Sequence, residues 1–309
     1  MRSRTILITG GSGLLAINWA CAVRSSGWKV ILGTHRRQVA LRGAIARPIE
    51  LDDPEFLRHR LAEIAPDLVV HTVGLTSVDD CEKNPALARR VNAEFARNVA
   101  EAAAQENIRL VHISTDHLFA GTRSVCSESD QPEPLNEYAR SKLLAEEWVQ
   151  QAHPEALILR TNFFGWGHAY RHSFSDWILS DLRAGRSTTL FDDVYFTPIL
   201  ADSLAIAAHR LLEKSASGIF NLVGDERISK YQFGILLAKS FGLPAELIRR
   251  GRISDLKMLA KRPPDMSLNN SKARRILGEG PGRLETFFSI LRRQEMEGRR
   301  EELLHAVTE

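Results

Sequence analysis

Short runs of apolar residues at 6–9, 30–33, 68–72, 110–114 and 157–160 punctuate the first half of the chain. Each is rich in Ile, Leu and Val without a polar alternation, the pattern of strands buried on both faces of a parallel sheet. Between them, residues 14–25, 55–64, 85–106 and 138–151 carry helical patterning and are long enough to serve as crossover helices. The alternation predicts an α/β protein built on a doubly wound parallel sheet. After Arg160 the rhythm changes to an aromatic, His-containing stretch, Asn162-Phe-Phe-Gly-Trp-Gly-His-Ala-Tyr-Arg-His172. The expected organisation is therefore a nucleotide-binding domain over residues 1–160 and a smaller, mainly substrate-binding lobe over 161–309, with some later segments returning to the first domain. Within that lobe residues 202–213 read as a helix, 218–223 as a strand, and 229–241 as a helix capped by Ser229. The charged tail from Arg292 reads as a solvated helix.

Composition narrows the picture. The 309 residues are 44% hydrophobic, enough for a large α/β core, and 41 basic residues against 38 acidic ones leave a net charge of +3. With no basic run interleaved with aromatics, a nucleic acid is not an expected partner. The cysteines at 21, 81 and 126 are odd in number and widely spaced, which suggests neither a disulfide framework nor a zinc site. The apolar stretch after Arg4 is broken by Gly10, Gly11, Gly13 and Asn18, and suits a strand, turn and helix better than a signal peptide. No uncharged run reaches the length of a membrane span, so a cytoplasmic protein is expected.

The first strand leads into Gly10-x-x-Gly13-x-x-Ala16 and then a helix. Gly10 permits a tight turn, Gly13 allows close approach of a pyrophosphate, small Ala16 lets helix and strand pack closely, and Ser12 and Leu14 lie in the same loop. Where an NAD site would place an acid after the second strand, the chain has His35, Arg36 and Arg37. These arginines either clamp a 2′-phosphate, which favours NADPH over NADH, or are ordinary solvated loop residues. Far downstream, Tyr138 and Lys142 have the spacing that puts two side chains on one helical face. The expectation is that the ammonium lowers the phenol's pKa and leaves Tyr138 able to protonate a carbonyl that receives hydride. Thr115, at the end of the strand before this helix, can hold the substrate oxygen; Ser114 beside it is expected to turn inward.

Together with Pro66-Asp-Leu-Val-Val-His-Thr-Val-Gly-Leu-Thr-Ser-Val-Asp79, Val91-Asn92, His112-Ile-Ser-Thr-Asp-His-Leu-Phe-Ala-Gly121, Pro134-Leu-Asn-Glu-Tyr-Ala-Arg-Ser-Lys142, Leu159-Arg-Thr-Asn162 and Lys261-Arg-Pro-Pro-Asp-Met-Ser-Leu-Asn-Asn-Ser271, these motifs run from Thr5 to about Gly278. In them the chain resembles the dTDP-4-dehydrorhamnose reductase family of extended short-chain dehydrogenases/reductases. The resemblance implies a Rossmann-like fold, an NADPH cofactor, with NADH as the alternative, and a nucleotide-sugar substrate. By similarity Thr115, Tyr138 and Lys142 form the catalytic triad, and Lys142 also holds the nicotinamide ribose. Glu50 and Leu51 match the pair beside the adenine; Val73, Gly74 and Thr76 match the loop along the cofactor; Thr161 and Asn162 fall where the backbone meets the carboxamide or the substrate.

The resemblance implies reduction of the 4-keto group of a nucleotide-linked 6-deoxyhexose, and a homodimer is compatible with it. An epimerase of the same fold is an alternative, as is an NADP-binding regulatory subunit like that of methionine adenosyltransferase. Dehydration fits less well, because Thr115 is followed by Asp116 and His117 rather than by Asp-Glu. The aromatics of 163–172, Trp166 among them, either stack on the substrate's base or sugar or pack the lobes together. Arg262 either meets a diphosphate or is a surface charge. His168 and His172 have helical spacing but no third ligand, so no metal is expected.

Overall fold

The computed structural model describes residues 4–255 and 257–308. The chain builds a seven-stranded parallel sheet from β1 (Arg4–Thr9), β2 (Trp28–Thr34), β3 (Ala44–Pro48), β4 (Leu68–His71), β5 (Arg109–Ile113), β6 (Leu157–Arg160) and β7 (Gly218–Asn221). Their spatial order is β3-β2-β1-β4-β5-β6-β7. The order reverses between β1 and β4, and a crevice opens beyond the carboxyl ends of the strands at that point.

Both faces of the sheet are covered, which is why its strands lack polar alternation. Ile6, Ile8, Val70 and Val111 pack on one side with Leu15 and Trp19 of α1 (Leu14–Val23). Leu7, Val69, Leu110 and Ile158 pack on the other, against α2 (Pro54–Ile64), α3 (Phe95–Gln105) and α4 (Glu137–Ala152). Strand β3 escaped the sequence reading. It is a mostly exposed edge strand, so it needs no apolar run; its register on β2, with Ile31 opposite Ile45, is a tertiary choice.

The start of α2 shows how local sequence sets a helix boundary. Asp53 Oδ1 accepts from the backbone N–H groups of Glu55 and Phe56, both at 3.0 Å, and Pro54 follows at the first helical position. Asp53→Ala is expected to cost about 1 kcal/mol. A lower urea midpoint with an unchanged m-value checks this.

The helical stretch expected over 85–106 is interrupted. Between Pro85–Arg89 and α3, residues Arg90–Glu94 form a π-helical turn. That turn carries Asn92, whose amide donates to Leu75 O (3.1 Å) and Ser141 Oγ (2.9 Å) while its carbonyl accepts from Leu75 N (2.7 Å). The bulge thus clamps the loop after β4 onto α4, a placement typical of π-bulges near functional sites.

After Arg160 the chain adds two-stranded pairings outside the main sheet. Phe163–Phe164 pairs with Ile199–Leu200 in parallel, and Thr188–Phe191 with Ile248–Gly251. Phe164, Phe174, Phe196, Phe233 and Phe288 form a continuous aromatic cluster under these pairs. Ser229 begins the helix Lys230–Ser240 through a capping box with Gln232. Two segments then rejoin the sheet region: Ala201–Glu213 packs beside α1, and β7 extends the sheet next to β6.

The tail corrects the expectation of a solvated helix. Leu291, Leu303, Ala306 and Val307 are buried, and Val307–Thr308 pairs antiparallel with Gln38–Val39. The charged residues mask a narrow apolar stripe that finds its partner only in the folded chain. Among the described residues no helix is long and apolar enough to cross a membrane.

Candidate active site

The turn after β1 is built for close backbone approach. Gly10 has φ +76°, and a Cβ there would lie 3.0 Å from Thr72 Oγ1 and Val73 Cγ2. Gly13 N–H donates to Gly10 O at 2.7 Å, and Gly11 N–H ties the turn to Gly33 O at 2.8 Å. Gly13 is the N-cap of α1, yet no side chain caps the helix and no acid stands in its first turn. Its orphan N–H groups and positive dipole end are therefore open to an anion.

Beside this turn lies a cavity of about 340 Å3 lined by Gly10, Ser12, His35, Glu50, Leu51 and Val73, among others. A second cavity of about 350 Å3 begins at Gly13 and Leu14 and runs past Gly74 and Thr76 to Thr115, Tyr138 and Asn162. An uncapped helix end between two connected-in-sequence recesses fits a dinucleotide lying along the strand ends. Arg36 and Arg37 do not line the first cavity; Arg37 instead lies over the Tyr170 ring, 4.9 Å from its centroid.

At the chemical end, α4 places Tyr138 and Lys142 toward the end of β5. Thr115, Tyr138 and Lys142 are all buried. His117 N–H donates to Thr115 Oγ1 at 3.2 Å, and the His117 ring meets the Tyr138 ring edge-on at 5.5 Å, so hydroxyl and phenol are held from the same loop. Lys142 Nζ donates to Ile113 O at 2.7 Å.

The electrostatics differ from the expectation on Tyr138. Burial pushes the phenol up to about 12, with the Thr115 hydrogen bond pulling the other way, and Lys142 is not among the groups acting on it. Desolvation of phenolate outweighs the attraction expected from the ammonium, and the phenol is held firmly protonated. Lys142 is itself pushed down to about 8 by burial, opposed by Glu146. Beneath it, burial holds His71 down to about 3 and His112 well below its ordinary value, so these stacked rings are neutral.

Ser114 does turn inward. Its hydroxyl donates to Glu146 Oε1 at 2.5 Å, and Arg160 meets the same carboxylate at 2.7 Å. This buried pair locks the ends of β5 and β6 onto α4, one helical turn beyond Lys142. Sequence reasoning missed it, although Glu146 stands on the lysine's own helical face. It also missed a polar pair on the cleft wall and a cation near it: Asn162 Nδ2 donates to Asp116 Oδ2 at 2.6 Å, and Lys230 lies 3.4 Å above the Phe196 ring. Burial raises the Asp116 pKa, and it pushes Lys230 down to about 8, which nearby Asp116 opposes.

Two expected substrate contacts are not where the sequence put them. Trp166 is fully buried, with its ring against Phe241, and belongs to the packed core rather than to the cleft. Arg262 is engaged by Asp79, with its Nη2 2.9 Å from Oδ2. His168 closes a hairpin with Arg171 and His172 lies just past it, not one turn along a helix, with His172 at 3.1 Å from Asp176.

A family model described as the RmlD substrate binding domain matches residues 4–286. The chain is 32% identical over 291 residues to the probable low-salt glycan biosynthesis reductase Agl14 of Haloferax volcanii, covering 92% of this chain and 96% of that protein. It is 29% identical over 293 residues to methionine adenosyltransferase 2 subunit beta of Rattus norvegicus, covering 87% and 81% respectively. The crystal structure of a hypothetical dTDP-4-dehydrorhamnose reductase from Sulfolobus tokodaii matches with a TM-score of 0.78 at 32% identity, over 91% of this chain and 97% of that one. The family match takes in the glycine turn, the buried tyrosine and lysine, and the later lobe alike, and this chain belongs to the RmlD substrate binding domain family.

Proposed function

We propose that the protein is an NADPH-dependent reductase of a keto sugar linked to a nucleotide, with the 4-keto group of a 6-deoxyhexose as its substrate. One observation carries this reading: a single cleft brings Thr115, Tyr138 and Asn162 up to the uncapped N-terminus of α1. Gly10, Ser12 and Gly13 hold the dinucleotide's pyrophosphate, Glu50 and Leu51 flank its adenine, and Val73, Gly74 and Thr76 run along it. When bound, NADPH would supply hydride to the carbonyl carbon. Tyr138 gives its phenolic proton to the carbonyl oxygen, and the Thr115 hydroxyl orients that oxygen. Lys142, anchored on Ile113 O, holds the nicotinamide ribose through its ammonium. Asn162, fixed by Asp116, borders the substrate. His35 lines the cavity at the adenine end, and Arg36 and Arg37, exposed in the loop just beyond it, favour a 2′-phosphate by swinging onto it when it binds.

The charge states set a pH dependence. Lys142, pushed down to about 8, is an ammonium below that pH and a neutral amine above it, whereas Tyr138, at about 12, stays a phenol throughout. Turnover is therefore expected to fall as pH rises through about 8. Steady-state rates across that range check this; a limb that persists in Lys142→Arg would assign it to another group.

The reading is tested by mixing the purified protein with NADPH and nucleotide-linked keto sugars. Oxidation of NADPH is expected, and no oxidation with any of them overturns it. A second reading, an NADP-binding partner subunit without turnover, is supported by the 29% identity to the methionine adenosyltransferase subunit. It would gain if Tyr138→Phe left the biological activity unchanged.

A further inference from the structure

The aromatic stretch after β6 ends in a hairpin whose ends are tied by reciprocal backbone hydrogen bonds between His168 and Arg171, both 3.0 Å. The hairpin is a built element. A Cβ at Gly167 would come within 2.4 Å of Arg171 O, so only glycine lets the two arms close this tightly. Trp166, immediately before it, is fully buried and anchors its base in the core. Ala169 N–H reaches Leu304 O at 3.4 Å, and Tyr170 carries the Arg37 guanidinium on its face. The anchored turn projects Arg171 into the wall of the chemical cleft, where its Nη2 donates to Thr76 Oγ1 from across the opening.

Arg171 differs from the other arginines near the cleft in its partner. Arg262 is paired with Asp79, Arg227 with Asp265, and Arg300 with Asp176 and Glu295. Among the described residues Arg171 forms no ion pair, and it is the one Arg or Lys that lines this cleft. A neutral hydroxyl is a weak partner for a guanidinium compared with a phosphate oxygen, whose charge-assisted, two-pronged bonds are roughly twice as strong.

We propose that Arg171 is a diphosphate-binding residue that engages the bridge of a nucleotide held in this cleft. The inference rests on the nucleotide-linked substrate proposed above, and its chemistry has two possible sources: the diphosphate of the sugar nucleotide and the pyrophosphate of the dinucleotide. In either case the guanidinium leaves Thr76 for the phosphate oxygens and fixes the ligand along the cleft. This binding energy, made in the same cleft but on groups other than the carbonyl, positions the reacting centre at Tyr138.

The test compares full-length wild type, Arg171→Gln and Arg171→Lys by calorimetric titration with dTDP, UDP and NADP+ as separate probes. Because Arg171 is exposed, the variants should keep the wild-type thermal midpoint. Arg171→Gln is expected to weaken one probe class by roughly tenfold to a hundredfold, with Arg171→Lys between. Loss confined to dTDP or UDP identifies the sugar nucleotide as the source, and loss confined to NADP+ identifies the cofactor. Unchanged affinity for all three in Arg171→Gln overturns the inference while leaving the reductase reading intact. Conversely, Arg171-dependent binding of a nucleoside diphosphate without any keto-sugar turnover sustains it while the reductase reading fails.

Discussion

Tyr138→Phe is expected to lower turnover by about 10²- to 10⁴-fold, the range over which a positioned general acid contributes. The substitution removes one oxygen from a ring that is already packed edge-on against His117, so it leaves no cavity and should not disturb α4. Most of the cofactor's expected contacts lie elsewhere, at the glycine turn, at Glu50 and Leu51 and in the loop after β4. NADPH binding, read by fluorescence titration, should therefore survive the loss of turnover. A mutant that turns over at the wild-type rate would remove Tyr138 from the mechanism. One that loses NADPH binding as well would show that the ring shapes the cofactor site. Burial that pushes the phenol up to about 12 keeps Tyr138 protonated at rest but makes it a weaker acid, so its proton leaves only as negative charge builds on the carbonyl oxygen.

The second large effect is on stability. Glu146→Leu should destabilise the fold by about 3–5 kcal/mol, because it strands Arg160 without a countercharge in the interior. Both side chains are almost wholly buried, and the carboxylate also accepts from Ser114. A urea denaturation series should show this as a lowered midpoint. A change under about 1 kcal/mol would mean that the interior relaxes to admit water around Arg160. Turnover should fall in the same variant, since Glu146 is the group that opposes the loss of the Lys142 proton.

Much of this molecule was legible along the chain. Strands buried on both faces carry no alternation, so β1, β2, β4, β5 and β6 announced themselves as apolar runs. The crossover helices followed from their period. The glycine turn was readable because its spacing is itself a backbone requirement: Gly10 takes a positive φ against a crowded neighbour, and few other sequences can do that. Tyr138 and Lys142 were readable as a pair because helical spacing alone puts them on one face.

The failures have a different character. Trp166 looked like a ligand platform because a sequence reveals an aromatic ring without revealing what covers it. Arg262 looked free until Asp79, far away in the chain, closed on it. The tail looked solvated because its apolar stripe is narrow, and its partner strand, Gln38–Val39, lies at the opposite end of the sequence.

By itself the sequence determined the local physics: which buried runs are strands, most of the crossover helices, where the glycine turn lies, and which residue types stand at the strand ends. Only the tertiary structure decided which charges are paired, how deeply the tyrosine and lysine are buried, and which arginine faces the cleft without a carboxylate. The physical reason is range. Backbone propensity and helical spacing act over a few residues, whereas desolvation and ion pairing depend on whatever the fold brings alongside, and here those partners come from distant parts of the chain.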